Sequence, residues 1–278
     1  MVKEDLFGNP TDFGYLLKSS KDIKTFMSVL QIYNDWKLAR FHNKIPAKNY
    51  LVNLNLKQGT FWMNRQAASS SIDTFLEIFK LKNHCKIRGF QGENCEIVVD
   101  IGANEGFYSL FLKKRNPSLK IFCVEPIKST FEILKKNILS NGLDDLVLEN
   151  FAIGIKKGDI SFEYVPEITV LSSKRIFREN LPWLDKERIK TQKVRVIPLS
   201  ILINKWKLNK IDILKIDVEG GELEVLKSLG NKIKIVQKIV LEWHSVKLRD
   251  DCKKFLLKKG FKLLSEETSL KGDLYFCR

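Results

Sequence analysis

From Glu96 onward, short apolar runs alternate with amphipathic stretches. The runs Ile97 to Ile101, Lys120 to Glu125, Leu146 to Ala152, Ile211 to Asp217 and Ile235 to Trp243 are nearly continuous in Val, Ile, Leu and Phe, which predicts strands buried on both faces. Glu105 to Arg115, Ile127 to Ser140, Leu199 to Trp206 and Glu222 to Leu229 instead carry apolar residues three and four apart, as helices packed on a sheet do. A helix at Arg249 to Lys259 and short strands at Lys262 to Ser265 and Leu274 to Cys277 close the pattern. Such alternation implies βαβ units and an α/β fold, a doubly wound and mainly parallel sheet spanning residues 96 to 278.

Residues 1 to 95 read differently. Asp22 to Phe41 and Ile72 to Phe79 are amphipathic helical patterns, with the aromatic-bearing Gly59-Thr-Phe-Trp-Met63 between them. They cannot complete the sheet and are expected as a helical cap beside it. Residues 166 to 190, with Pro166, Phe177, Leu181, Pro182 and Trp183, interrupt the alternation and are expected as an insertion forming a lid.

Composition changes this picture little. A chain of 278 residues, 44% hydrophobic, can bury one large core with a smaller appendage. It contains no apolar run of about 18 residues and opens without the layout of a secretion signal, so the cytoplasm is the expected location. Five widely spaced cysteines without a Cys-x-x-Cys pair suit reduced thiols rather than a disulfide frame or zinc site. The net charge of +15 would favour an anionic partner such as nucleic acid or a membrane surface. Its densest stretch, Lys247 to Lys262, interleaves with Phe255, Leu256 and Leu257 and reads first as a solvated helix face, with peripheral contact to an anionic surface as the alternative.

Chemistry concentrates at strand ends. Val98-Val-Asp-Ile-Gly-Ala-Asn-Glu-Gly-Phe-Tyr108 is a buried strand that ends in an acid, turns on glycines and opens a helix. Such a turn lets the backbone approach a ligand and presents free N–H groups to it. About twenty residues on, Val124-Glu125-Pro126 puts a carboxylate at the next strand tip, where it can accept both hydroxyls of a ribose. These two features indicate an adenosine cofactor and leave NAD and S-adenosylmethionine open. At the third tip, Asn150 could bond an adenine amine and Phe151 could pack on its ring, or both could be ordinary turn and core residues.

The fourth strand, Ile211-Asp-Ile-Leu-Lys-Ile-Asp-Val-Glu-Gly-Gly-Glu222, sets Lys215, Asp217 and Glu219 on one side by its period of two. Burying these charges is costly unless they pair or serve a ligand. Taken together, Asp-Ile-Gly-Ala-Asn-Glu-Gly, Val-Glu-Pro, Lys-Ile-Asp-Val-Glu-Gly-Gly-Glu and Leu-Glu-Trp-His resemble, in order and spacing, the FkbM family of methyltransferases over roughly Arg65 to His244. The resemblance implies a seven-stranded methyltransferase sheet, S-adenosylmethionine as cofactor and methylation of a hydroxyl on a sugar, glycan or small natural product. It also implies that Asp100, Gly102, Asn104 and Gly106 line the methionine half of the cofactor and that Glu125 holds its ribose. Arg65 and Ser71-Ile-Asp73 resemble a degenerate form of the family's segment leading into the sheet.

Methylating a hydroxyl requires a group that takes its proton. The candidates close the central strands: Asp217 and Glu219 on the fourth, Glu242 and His244 on the fifth, with Lys215 beside them. His244 is the first choice as base. A divalent metal held by Asp217 and Glu242 is the minority alternative. His42 and His84 fall in the cap, and neither is assigned a role. A nucleic-acid methyltransferase is disfavoured because Asp217-Val-Glu-Gly replaces the Pro-Pro-aromatic tip used on base amines. A catalytically decayed scaffold is disfavoured because the acids and His244 are present.

Overall fold

The computed structural model describes residues 10–42, 50–166, 168–173, 186–267 and 272–278. The N-terminal segment contributes α1 (Pro10–Ser19), α2 (Ile23–His42), β1 (Leu51–Leu56), β2 (Gly59–Asn64) and α3 (Ala68–Phe79). Then follow β3 (Ile97–Ile101), α4 (Phe107–Arg115), β4 (Lys120–Val124), α5 (Lys128–Ser140), β5 (Val147–Glu149) and β6 (Ala152–Ile153). β7 (Gly158–Val165), β8 (Ile168–Ser173), β9 (Lys190–Ile197) and α6 (Leu199–Lys205) lead into β10 (Ile211–Ile216). The chain ends with α7 (Glu222–Ser228), β11 (Val236–Trp243), α8 (Val246–Lys258), β12 (Lys262–Glu266) and β13 (Gly272–Cys277).

Seven strands form the main sheet in the order β12-β13-β11-β10-β3-β4-β5. β13 is antiparallel to both its neighbours, while β11, β10, β3, β4 and β5 run parallel. This is the expected α/β doubly wound sheet. The order reverses between β3 and β10, so their carboxyl ends form the crevice where ligands collect in open sheets of this kind.

Strand alternation divides the core. Val98, Ile121, Ile213, Val240 and Tyr275 face one way and pack with α3, α4 and the hairpin β1–β2. Val99, Val124, Leu214, Ile239, Leu241 and Phe276 face the other way and pack with Leu202, Leu226 and Leu256 of α6, α7 and α8. Because every residue of β10 is buried, its charged residues need partners. Asp212 finds them by accepting the backbone N–H groups of Glu96 and Ile97 at 2.8 and 3.0 Å.

The structure differs from the sequence expectation in three places. The stretch read as a helical cap contains the antiparallel hairpin β1–β2, in which Leu54 and Phe61 form a buried cross-strand pair. The third strand, expected through Ala152, divides: β5 stays in the main sheet, and β6 joins a second sheet ordered β6-β9-β7-β8. The stretch expected as a lid holds β8, antiparallel to β7, and the start of β9. Within that stretch, residue 167 and residues 174–185 lie outside the described residues. Among the described residues, no helix is long and apolar enough to cross a membrane.

Candidate functional site

The glycine turn after β3 is built against the tip of β10. Gly102 has φ +77°, and a Cβ placed on it would meet the Asp217 carbonyl oxygen at 1.7 Å, so glycine is required there by space as well as by φ. Asn104 is also left-handed, at φ 50°, and among the described residues its buried Oδ1 has no hydrogen-bond partner. Gly106, at φ 89°, starts α4. Lys215 Nζ donates to the Gly102 carbonyl at 2.7 Å, and the Asp217 N–H donates to the Ile101 carbonyl at 3.0 Å. The turn and the β10 tip are therefore a single hydrogen-bonded unit.

Glu125 lies under this turn. Its Oε2 accepts the Asn104 N–H at 3.0 Å and its Oε1 accepts the Ile127 N–H at 2.9 Å, leaving each oxygen a further lone pair. Burial raises its pKa to about 7 against the opposing pull of those two N–H groups. Asn150, expected near adenine, uses its amide nitrogen on the carbonyls of Glu125 and Pro126, at 2.7 and 3.0 Å, and so braces the Glu125 turn. Phe151 is half-buried and lines a cavity of about 390 Å³ with Lys157, Arg195, Ile197 and Leu202.

Lys215 and Asp100 are register partners on β10 and β3, both buried, with Nζ 3.3 Å from Asp100 Oδ1 and 3.5 Å from Asp217 Oδ2. Burial pulls the Lys215 pKa down, but these two carboxylates outweigh it and hold the amine charged. Asp100 Oδ2 accepts the Ser109 hydroxyl at 2.8 Å. Lys215 is thus a clamp between the turn and the strand tip.

The fourth and fifth strand tips meet as the sequence suggested. His244 Nε2 is 3.3 Å from Glu219 Oε2 and 3.8 Å from Asp217 Oδ1, while its Nδ1 contacts the buried Glu222 Oε1 at 2.8 Å. Burial lowers the His244 pKa, but Glu219 and Glu222 overcome it and raise the value well above 6.5. The carboxylates around the imidazole thus favour its protonated form, against the base near neutrality that the sequence offered. Glu219 is left-handed at φ 51° and heads the Gly220-Gly221 turn that opens α7.

Sequence reading missed His84 and Asp273. His84 follows α3 in the N-terminal segment, yet its Nδ1 lies 2.7 Å from Asp273 Oδ1 on β13, and its Nε2 faces Asp217 Oδ2 at 3.9 Å. The two residues are 189 positions apart, beyond any local pattern. The one available signal was Asp273 itself, an acid opening the apolar run Leu274 to Phe276. Ser71 was noted only as part of the lead-in segment; its hydroxyl donates to the buried Glu105 Oε1 at 2.9 Å and ties α3 to the glycine turn.

This geometry can be compared with known proteins. Residues 100–263 match the Methyltransferase FkbM domain. The chain belongs to the FkbM methyltransferase family. It is therefore an S-adenosylmethionine-dependent methyltransferase, as its motifs implied. It is 26% identical over 202 residues to the methyltransferase sdnD of Sordaria araneosa, covering 64% of this chain and 78% of that one. It is 26% identical over 217 residues to the hexuronic acid methyltransferase AglP of Haloferax volcanii, covering 74% of this chain and 82% of that one. Among solved structures, M. jannaschii TYW2 in complex with AdoMet is similar at a TM-score of 0.45 and 12% identity, over 84% of this chain and 89% of that one.

S-adenosylmethionine fits the residues at the crevice. The unpartnered Asn104 Oδ1 offers an acceptor where the turn would meet a ligand amine, and Glu125 keeps lone pairs for a ribose diol.

Proposed function

We propose that this FkbM-family protein transfers a methyl group to a hydroxyl of a sugar, glycan or small natural product, with the acceptor at the joined tips of β10 and β11. The carrying observation is that the turn after β3 and the cluster of Asp217, Glu219 and His244 share one hydrogen-bonded unit through Gly102, Lys215 and Asp217. Cofactor and acceptor groups are thus held in one crevice, which an in-line displacement requires. The relative named as a hexuronic acid methyltransferase supports a sugar as acceptor.

In this reading, S-adenosylmethionine supplies an electrophilic methyl on a sulfonium. Asp100, Gly102, Asn104 and Gly106 shape its methionine end, Glu125 holds the ribose, and Asn150 and Phe151 border the adenine. Lys215 fixes the β10 tip against the turn. Because its carboxylate neighbours favour the protonated form of His244, the carboxylates of Asp217 and Glu219 take the proton of the acceptor hydroxyl, and His244 offsets their charge and orients them. β8 lies against α3, and we assign the acceptor side of the crevice to these two segments.

The test is incubation of the full chain with S-adenosylmethionine and a panel of nucleotide-linked sugars, hexuronic acids and their reduced sugars included, read by mass. A gain of one methyl on a sugar hydroxyl supports the reading. Methylation of RNA alone would overturn it.

A further inference from the structure

The two histidines at this site share an arrangement, and the methyl-transfer reading uses only one of them, His244. Each has its Nδ1 against a buried carboxylate, Asp273 for His84 and Glu222 for His244, and each turns its Nε2 toward Asp217, at 3.9 and 3.8 Å. A carboxylate behind Nδ1 is the arrangement that fixes the tautomer of a metal-ligating imidazole and raises its basicity. In His84 it is the more completely built. Asp273 Oδ2 also accepts the His84 N–H at 2.8 Å and the Tyr275 hydroxyl at 2.9 Å. The His84 side chain is only 8% exposed, and among the described residues no hydrogen-bond partner reaches its Nε2. One ligand atom each from His84, Asp217 and Glu242 lies within 4.8 Å of the others. Glu242 is the register partner of Asp273 across β11 and β13, so ligand and orienting carboxylate are set by the same strand pair.

We propose that His84, Asp217 and Glu242 bind one divalent metal ion, with Asp273 holding His84 in the ligating orientation. His84 Nε2 and Asp217 Oδ2, 3.9 Å apart, can share a single ion at ordinary ligand distances of about 2.0 to 2.2 Å. One imidazole nitrogen and two carboxylates make a mixed set suited to Mn²⁺ or Zn²⁺ rather than to soft ions. The local charge agrees: Asp100, Asp217, Glu219, Glu222 and Asp273 cluster here and outnumber the cations beside them, the amine of Lys215, 3.5 Å from Asp217, and the ring of His244. The site adjoins the acceptor cluster, where an ion would lower the pKa of a bound hydroxyl and, with Asp217 as its ligand, leave Glu219 to take the proton. That use rests on the methyl-transfer reading, but binding of the ion does not.

Titration of the metal-stripped full chain with MnCl₂ alone, followed by calorimetry and by the electron paramagnetic resonance signal of free Mn²⁺, should show one ion per chain. His84→Ala and Glu242→Gln should each weaken binding at least 10-fold, and Asp273→Asn by about 10- to 100-fold through loss of orientation. Each variant should still bind S-adenosylhomocysteine within a few fold, which shows that it is folded and separates this proposal from the cofactor assignment. Absence of Mn²⁺ and Zn²⁺ binding to the unaltered chain would overturn the site. So would binding that survives Glu242→Gln but is lost in Glu219→Gln, since that would place the ion with His244.

Discussion

Glu125 Oε2 accepts the backbone N–H of Asn104 across the turn, 21 residues away, at 3.0 Å. The carboxylate that is proposed to hold the ribose is thus also the floor of the glycine turn. Glu125→Ala should weaken S-adenosylhomocysteine binding by about 1.5 to 3 kcal/mol, the cost of losing charge-assisted hydrogen bonds. Calorimetry measures this directly, and unchanged affinity would remove Glu125 from the ribose.

The same residue sets a pH dependence. Burial raises its pKa to about 7, and only the ionised form accepts through both oxygens from a diol. Cofactor affinity should therefore fall as pH drops through about 7 and level off above it. Glu125→Gln should flatten this profile while keeping the Ile127 and Asn104 N–H contacts in part. A profile that stays steep in the Gln variant would assign the titration to another group.

Gly102→Ala tests whether the turn tolerates any side chain. The new methyl would overlap the Asp217 carbonyl oxygen, and φ +77° adds a backbone cost of about 1 to 3 kcal/mol for a non-glycine residue. The β10 tip must then move. Thermal unfolding should shift down by several degrees, and affinity for S-adenosylhomocysteine should fall with it. A variant of unchanged stability and affinity would contradict the contact.

How much of this was legible in the sequence follows from the range of the interactions. The β3 turn, Glu125 and the β10 tip were readable because strand, glycine and acid lie within about ten residues of one another or at a fixed βαβ spacing. Lys215, Asp217 and Glu219 were placed on one side by the strand period, but their division of labour was not, because Lys215 pairs with Asp100 through sheet register. The β1–β2 hairpin escaped because its turn, Lys57-Gln58, lacks the Asn-Gly or Asp-Gly signature. The contact of His84 with Asp273 joins opposite ends of the chain, and only tertiary packing creates it.

Glu105 offers a stability test separate from catalysis. It is fully buried, and burial raises its pKa to about 8 despite the Ser71 hydroxyl that favours its charged form. Between the unfolded carboxyl's 4.5 and about 8, the folded state holds a proton that the unfolded state has lost. Stability must therefore decline as pH rises through that window. Glu105→Gln, neutral throughout, should remove this slope, so its melting temperature should gain on the unaltered protein at pH 8 relative to pH 5. Parallel curves for the two proteins would show that Glu105 is already ionised when folded.

His244 should matter for turnover more than for cofactor binding. His244→Ala leaves Asp217, Glu219 and Glu222 without their shared cation. Turnover at saturating cofactor should fall about 10- to 100-fold, the range for a group that orients the residues acting on the substrate. Affinity for S-adenosylhomocysteine should change only a few fold. Equal losses in both would place His244 against the cofactor instead.

Lys215 separates a clamp from a catalytic group. Its amine lies between Asp100 and Asp217 and also holds the Gly102 carbonyl, so Lys215→Met leaves the fully buried Asp100 carboxylate without a countercharge. Removing one partner of a buried ion pair costs about 3 to 5 kcal/mol. The variant should accordingly lose stability in urea and cofactor affinity together. If the loss comes from the stranded charge, replacing that charge should recover part of it. The double variant Lys215→Met, Asp100→Asn should be more stable than Lys215→Met alone, and the two substitutions should couple rather than add. Asp100→Asn keeps an acceptor for the Ser109 hydroxyl, so that contact does not confound the cycle. A Lys215→Met protein of normal stability and normal cofactor affinity that nonetheless turns over slowly would reverse the assignment, making Lys215 a participant in the transfer itself.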